Sequence, residues 1–145
     1  MNVRSFRLSD YLPATQLLKE SLSDECCEKT LEAFARQLSL DGELVLIAEH
    51  EASNGEQAIV GLVIGTVDRN NGYYYRLAVH PDYRNQGVGK ALVAGLEQKF
   101  QQRRVKNIMI AVDEHTEVVL PWFEALGYGA KDMLRSLSQL RIVAG

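Results

Sequence analysis

The chain has 145 residues, 46% of them apolar and 24% charged, with a formal net charge of −3. That is one domain's worth, and a chain this size buries about 68% of the surface its unfolded form exposes, enough to fold without disulfides or a structural metal. The balance excludes a disordered tail, a collagen-like chain and a coiled-coil rod, and the mild acidity argues against bulk nucleic-acid binding, which needs a basic face.

Residues 2–8 alternate around Val3, Phe6 and Leu8 and read as a first strand. No apolar stretch follows their charges, so they do not read as a signal peptide. Ser9-Asp10 offer helix-capping oxygens, and Leu12, Leu17, Leu18 and Leu22 follow at roughly helical spacing. A second helix is predicted over residues 25–40, with Leu31, Phe34, Ala35 and Leu38 on one face and Asp41-Gly42 closing it. Cys26 and Cys27 are neighbours, which rarely pair with each other, and read as half-buried packing residues.

Residues 44–48, 58–67 and 73–79 read as three strands, joined by turns over 53–56 and 69–72. Asn71-Gly72 is a favoured hairpin dipeptide, and connections this short make an antiparallel meander. A loop over 80–86 leads into a helix over 87–104, whose apolar face carries Val88, Leu92, Val93, Leu96 and Phe100. A strand over 105–112 follows, then a helix over 116–126 containing Pro121, with Gly127 as its C-cap residue. One or two strands are expected within 129–142. The order predicts a mixed α/β layer with one parallel crossover. No apolar run approaches the about 20 residues a bilayer-spanning helix needs, so no membrane partner is expected. His50, His80 and His115 lie far apart and no CxxC or HExxH spacing occurs, so no metal is expected. A cytoplasmic protein fits these features.

The chemistry is concentrated in Leu77-Ala78-Val79-His80-Pro81-Asp82-Tyr83-Arg84-Asn85-Gln86-Gly87-Val88-Gly89-Lys90-Ala91-Leu92. A strand ends at Val79, the chain turns, and a loop with two glycines enters a helix. Helix N-termini leave N–H groups unpaired and carry partial positive charge, and glycines let a ligand approach the backbone, so such a place suits phosphate or pyrophosphate. Arg84 and Lys90 add formal charge. A Walker loop is excluded because position 84 is Arg where that pattern needs Gly, and a dinucleotide fingerprint is excluded because the third glycine is missing.

Arg84-Asn85-Gln86-Gly87-Val88-Gly89 fits an R/Q-x-x-G-x-G/A pattern after a strand, and Pro121-Trp122-Phe123-Glu124-Ala125-Leu126-Gly127-Tyr128 resembles an F-Y-E-K-L-G-F helix end. With the order of elements, this resembles the GCN5-related N-acetyltransferase (GNAT) family over essentially the whole chain. The resemblance implies an α/β (α+β) GNAT fold with a mixed, mostly antiparallel six- to seven-stranded sheet and helices on both faces, in a single domain over residues 1–145. It implies an acetyl-CoA-dependent N-acetyltransferase acting on a primary amine of a small molecule or peptide, with acetyl-CoA as cosubstrate and, as in many members, a homodimer. The pantetheine arm would pair with the backbone of Leu77 and Val79. The acetyl carbonyl would be polarised by an N–H near Leu77 or Ala78. The pyrophosphate would rest on N–H groups of Gln86, Gly87, Val88, Gly89, Lys90 and Ala91, beside Arg84 and Asn85. Direct transfer through a tetrahedral intermediate relies on positioning and oxyanion stabilisation.

The sequence departs from the family at its acid and base. The family's usual general-acid tyrosine is Phe123, the asparagine usually seven residues earlier is Thr116, and strand positions that often carry Glu or His hold Tyr73 and Tyr75. A glutamate found on the later strand of ribosomal-protein acetyltransferases is Ala111 here. Three readings stay open. Tyr73 or Tyr75 acts directly or holds a water, or both merely pack. A base comes from Asp113, Glu114 or His115. Transfer proceeds with little acid–base help, or the protein is a catalytically weak acyl-CoA-binding regulatory module. A phosphate-binding module for another nucleotide is a further alternative. The acceptor side is expected from residues 21–29 and the Tyr73–Tyr75 strand, where Asp24, Glu25 and Glu28 would attract a cationic amine or simply start a helix. Trp122 is expected in the core.

Overall fold

In the computed structural model, which describes residues 1–144 and side chains through Val143, six strands lie side by side in sequence order. β1 (Asn2–Ser5) leads through a 3-10 turn to α1 (Tyr11–Ser21) and α2 (Asp24–Asp41). β2 (Val45–Glu51), β3 (Gln57–Asp68) and β4 (Asn71–Val79) form the expected antiparallel meander. α3 (Val88–Gln102) crosses to β5 (Asn107–Ala111), α4 (Leu120–Ala125) leads on to β6 (Met133–Leu134), and α5 (Arg141–Ala144) follows. β1 pairs antiparallel with β2, whereas β4–β5 and β5–β6 are parallel.

The predicted mixed sheet with helices on both faces is present, with three differences. There are two parallel crossovers, not one. Residues 129–142 supply only the two-residue β6, because Arg135, Ser136, Ser138 and Gln139 break any apolar alternation, and Leu140 and Ile142 bury themselves instead near α2. The β3–β4 turn sits at Arg69-Asn70, with Arg69 at φ +58° and Asp68 paired to Asn71, so Asn71-Gly72 is already strand. Gly72 serves packing: a Cβ there would lie 2.7 Å from the Phe100 ring.

One core, on the α1–α2–α5 face, gathers Leu17, Leu18, Phe34, Ile47, Leu62, Ile64, Tyr73 and Tyr75. The other, under α3 and α4, gathers Leu44, Val63, Tyr74, Leu92, Leu96, Phe100 and Phe123. α3 lies close against β3 because Gly61 and Gly65 leave room: a Cβ at Gly65 would meet Leu96 at 2.6 Å. Ser23 caps α2 by accepting from the Cys26 N–H at 3.2 Å, with Asp24 and Glu25 in the first turn where the dipole favours them. Asp10 does not cap α1. Its carboxylate accepts from the Arg7 N–H behind it and from Arg4, tying β1 to the start of α1. Cys26 and Cys27 are fully buried and unpaired, deeper than the sequence suggested, because both fall on the inward face of α2. Among the described residues, no helix is long and apolar enough to cross a membrane.

Candidate active site

The sheet opens into a fork. β4 pairs with β5 from Asn71↔Asn107 only as far as Tyr74↔Ile110. Beyond that point β5 pairs with β6, through Ala111↔Leu134 and the Val112 N–H on the Leu134 carbonyl at 2.8 Å, while β4 runs on to Val79 with no β5 partner. Leu77, Ala78 and Val79 lie along this free edge. A β-bulge sits at the branch point: Ile64 faces Arg76 and Gly65 faces Tyr74, so Tyr75 is the extra residue. The bulge interrupts the two-residue alternation of β4 after Tyr75. Tyr75 packs in the α2-side core, and Arg76, which strict alternation sends to the α3 side, also reaches Thr30 of α2.

On the α3 face, the loop after β4 opens onto the fork. Asn85 and Gly87 hold positive φ values of 63° and 83°, and this turn delivers the chain to the α3 N-terminus. The Ala91 N–H already donates to the Gly87 carbonyl at 3.0 Å. The spare donors are therefore those of Val88, Gly89 and Lys90, preceding the first helical bond. Ala91 belongs to the helix ladder. A Cβ at Gly87 would meet nothing within 4 Å, whereas one at Gly89 would lie 3.3 Å from Leu77 and 3.4 Å from Trp122. Trp122 is thus half-buried beside the α3 N-terminus, where α4 carries it, and packs against the edge of the α3-side core as expected. Arg84 is folded back: its Nε donates to the Val79 carbonyl at 3.2 Å and a terminal nitrogen to the Ser21 carbonyl at 3.1 Å.

On the α2 face, a cavity of about 520 Å³ borders the fork. Its apolar wall includes Ala33, Tyr75, Val112, Leu137 and Ile142, and its rim carries Lys29, Glu32, Arg36, Glu114, Glu117 and Arg135. Lys29 pairs with Glu114 at 2.6 Å and Arg135 with Glu117. Of the segment 21–29 only Lys29 lines it. Asp24, Glu25 and Glu28 are exposed on α2. Beside the cavity, Glu25, Glu114 and His115 place ligand atoms within 4.8 Å of one another, and the Lys29 ammonium already pairs with Glu114 there.

At the branch point, Arg76 and Asp113 clasp the two arms. Arg76 is 6% exposed and donates to both Asp113 oxygens at 3.1 and 2.8 Å, to Thr30 Oγ1 at 2.8 Å and to the Tyr75 hydroxyl at 3.4 Å. Asp113 also accepts from the His115 N–H at 2.9 Å and the Thr116 hydroxyl at 3.0 Å. Burial works to raise the Asp113 pKa, but the Arg76 guanidinium and these donors hold it down at about 2. A carboxylate so held is a poor base. Burial pushes the Tyr75 phenol up, partly offset by Arg76, so Tyr75 keeps its proton at neutral pH.

Tyr73 and Tyr75 share a face and a core, but only Tyr75 lines the cavity. Tyr73 sits where β4 is still paired, opposite Met109, and its hydroxyl accepts from Asn71 at 3.2 Å. Phe123 is buried among Tyr74, Trp122 and Tyr128, and the Tyr74 and Tyr128 hydroxyls pair at 3.0 Å beside it. Thr116 is buried and fixes the turn that presents Asp113. Sequence reasoning missed Arg76 and Thr30. The available signal was an arginine inside the apolar run of a central strand, a residue type almost never buried unless paired.

The sequence profile of the acetyltransferase (GNAT) family matches residues 11–128. An acetyltransferase of Yersinia pestis (strain Pestoides F) is 40% identical over 99 residues, 68% of this chain and 67% of that one. Among solved structures, the PaiA N-acetyltransferase of Thermoplasma acidophilum in complex with coenzyme A superposes with a TM-score of 0.67 at 18% identity, covering 88% of this chain and 89% of that one. A GNAT family acetyltransferase of Brucella melitensis in complex with acetyl-CoA gives 0.70 at 14% identity, covering 90% and 83%. The fork, the glycine loop at its mouth and these likenesses agree: the chain belongs to the acetyltransferase (GNAT) family and is an N-acetyltransferase.

Proposed function

We propose that the protein transfers the acetyl group of acetyl-CoA directly to a primary amine of a small molecule or peptide, the two substrates meeting in the fork from opposite faces of the sheet. The observation that carries this reading is the parting of β4 and β5 beyond Tyr74 and Ile110, with the α3 N-terminus on one face and the Tyr75 cavity on the other. Acetyl-CoA lays its pantetheine arm along the free edge at Leu77 and Val79, and its pyrophosphate on the N–H groups that start α3. Arg84 leaves the Val79 carbonyl when the arm pairs there, which frees its guanidinium for the phosphates. A backbone N–H beside the bulge, near Leu77 or Ala78, polarises the acetyl carbonyl and receives the charge that develops on oxygen. Of the two tyrosine candidates, Tyr75 handles protons in this reading, directly or through a water, a role supported by its place on the cavity wall.

The amine attacks neutral. Its nitrogen bonds to the acetyl carbon, the carbon–sulfur bond breaks, the nitrogen gives up a proton and the thiolate gains one. The reading includes a cytoplasmic location, carried by the cysteine usage and composition of the sequence, and homodimerisation, carried by the family resemblance alone; sedimentation velocity tests the second. A second reading, a catalytically weak acyl-CoA-binding module, is favoured by Phe123, whose buried ring has no proton to give. Thiol release from acetyl-CoA across a panel of amino acids, linear diamines and short peptides separates them. Release with one class supports transfer; coenzyme A binding with release from none supports the module.

A further inference from the structure

Arg76 is a costly residue to bury, and the structure spends much on it. The bulge at Tyr75 turns it to the α2 face, Thr30 of α2 receives its Nε, and Asp113 beyond β5 receives both terminal nitrogens. A second buried residue would suffice to fill the space. What the guanidinium adds is a fixed plane. Its carbon lies 4.8 Å from the centroid of the Tyr75 ring, and its remaining contact is a long donation, 3.4 Å, to the Tyr75 hydroxyl. The oxygen of Tyr75 thus accepts, and no acceptor among the described residues takes its proton, unlike Tyr74, whose hydroxyl meets the Val93 carbonyl and Tyr128. The one tyrosine on the cavity wall has an oriented ring and an uncommitted proton.

We infer that Arg76, locked by Asp113 and Thr30, is the positioning residue that aims the Tyr75 hydroxyl into the fork and so replaces the proton donor absent at Phe123. The inference rests on the acetyl-transfer reading above. In the step it serves, the phenolic O–H passes its proton to the coenzyme A sulfur as the carbon–sulfur bond breaks. The proton lost by the acceptor nitrogen returns through water to the phenolate, so nothing else is consumed. Asp113 takes no proton itself, since four donors converge on its two oxygens. Its work is to keep the guanidinium in plane. Arg76 differs here from a simple strap between β4 and β5, because a strap has no reason to act through one phenol.

The test is a double-mutant cycle on the full chain, using acetyl-CoA and whichever primary amine of the panel gives the fastest thiol release. Tyr75→Phe is expected to lower kcat about a hundredfold, the low end for loss of a positioned proton donor, with the KM for acetyl-CoA within about twofold. Arg76→Lys keeps the charge but not the planar fork and is expected to lower kcat about tenfold. In the Tyr75→Phe background, Arg76→Lys should then cost less than about twofold, because interacting groups are non-additive. An equal loss in both backgrounds makes Arg76 a structural strap and overturns the inference, as does an unchanged kcat in Tyr75→Phe. Coenzyme A binding by calorimetry confirms that each variant is folded. If Arg76→Lys does not fold, Asp113→Asn, which loosens the same guanidinium, replaces it with the same expectations. Wild-type protein that binds coenzyme A but acetylates no amine defeats the acetyl-transfer reading itself, a result distinct from either outcome of the cycle.

Discussion

Four donors on one carboxylate make Asp113 the most heavily constrained acid of the site. Its folded pKa, about 2, lies below its ordinary 3.8, so the stability it contributes is complete above the ordinary value and is lost as pH falls through the folded one. Acid unfolding should accordingly steepen between roughly pH 4 and 2, and Asp113→Asn should flatten it there; urea midpoints measured across that range check this. Asp113→Ala strands the Arg76 guanidinium in a 6% exposed position and should destabilise by about 3–5 kcal/mol in urea denaturation at neutral pH. Gly87 poses the opposite problem. Nothing crowds it, but its φ of +83° disfavours any side chain by about 1–2 kcal/mol. Gly87→Leu should keep the fold and weaken coenzyme A binding at least about tenfold, by calorimetry. Gly87 and Gly89 were legible in the sequence because spacing and residue type both survive translation into local structure. Arg76 was not, because its meaning depends on a one-residue bulge that moves it to the other face of β4, and period-two alternation carries no mark of where a register slips.

The elements most faithfully legible were those whose burial follows a simple period. Val88, Leu92, Val93, Leu96 and Phe100 are all buried on α3, as the 3.6-residue stripe predicts. The helix could settle so near the sheet only because β3 carries glycines beneath it, and there the sequence showed the residues without their reason. Gly65→Val would push a branched side chain into Leu96 and Phe100, where a Cβ alone would lie 2.6 and 3.1 Å from their atoms. Overpacking of this kind should destabilise by about 1–3 kcal/mol in urea, and the second change Leu96→Ala should recover part of the loss if the clash is its cause. Elements with short or broken patterns were read less well. Asn71-Gly72 looks like a turn and is strand, since Phe100 requires the bare glycine and Arg69-Asn70 can turn without one. The segment beyond Gly129 holds too few apolar residues in sequence to signal whether Leu140 and Ile142 mark a strand or a helix.

At the scale of the whole molecule, the proposed division of the two substrates between the faces of the sheet can be tested from the side farthest from the motifs. The Tyr75 cavity takes one wall from the tail, through Leu137, Ile142 and Val143, and that wall is pinned by Arg36 of α2, whose Nη1 donates to the carbonyls of Ile142 and Val143 at 3.1 and 3.0 Å. α5 is too short to hold itself, since isolated helices need about 12–15 residues to be even marginal. Its position thus depends on the burial of Leu140 and Ile142, on the Arg36 guanidinium, and on Arg141, which donates to the Val67 carbonyl at 2.9 Å. Hydrogen bonds to a charged group contribute about 1.5–3 kcal/mol each, so Arg36→Ala should free the tail locally while the sheet and α3 stay intact. Faster amide exchange over residues 140–143, with exchange in α3 unchanged, is the structural outcome expected. The functional outcome follows from the geometry of the fork. In the proposed reading acetyl-CoA lies on the α3 face and the amine on the α2 face, so Arg36→Ala should raise the KM for the amine several-fold and leave coenzyme A affinity as it was. If coenzyme A affinity fell in parallel, the two faces would not be serving separate substrates, and the amine would have to enter from the α3 side.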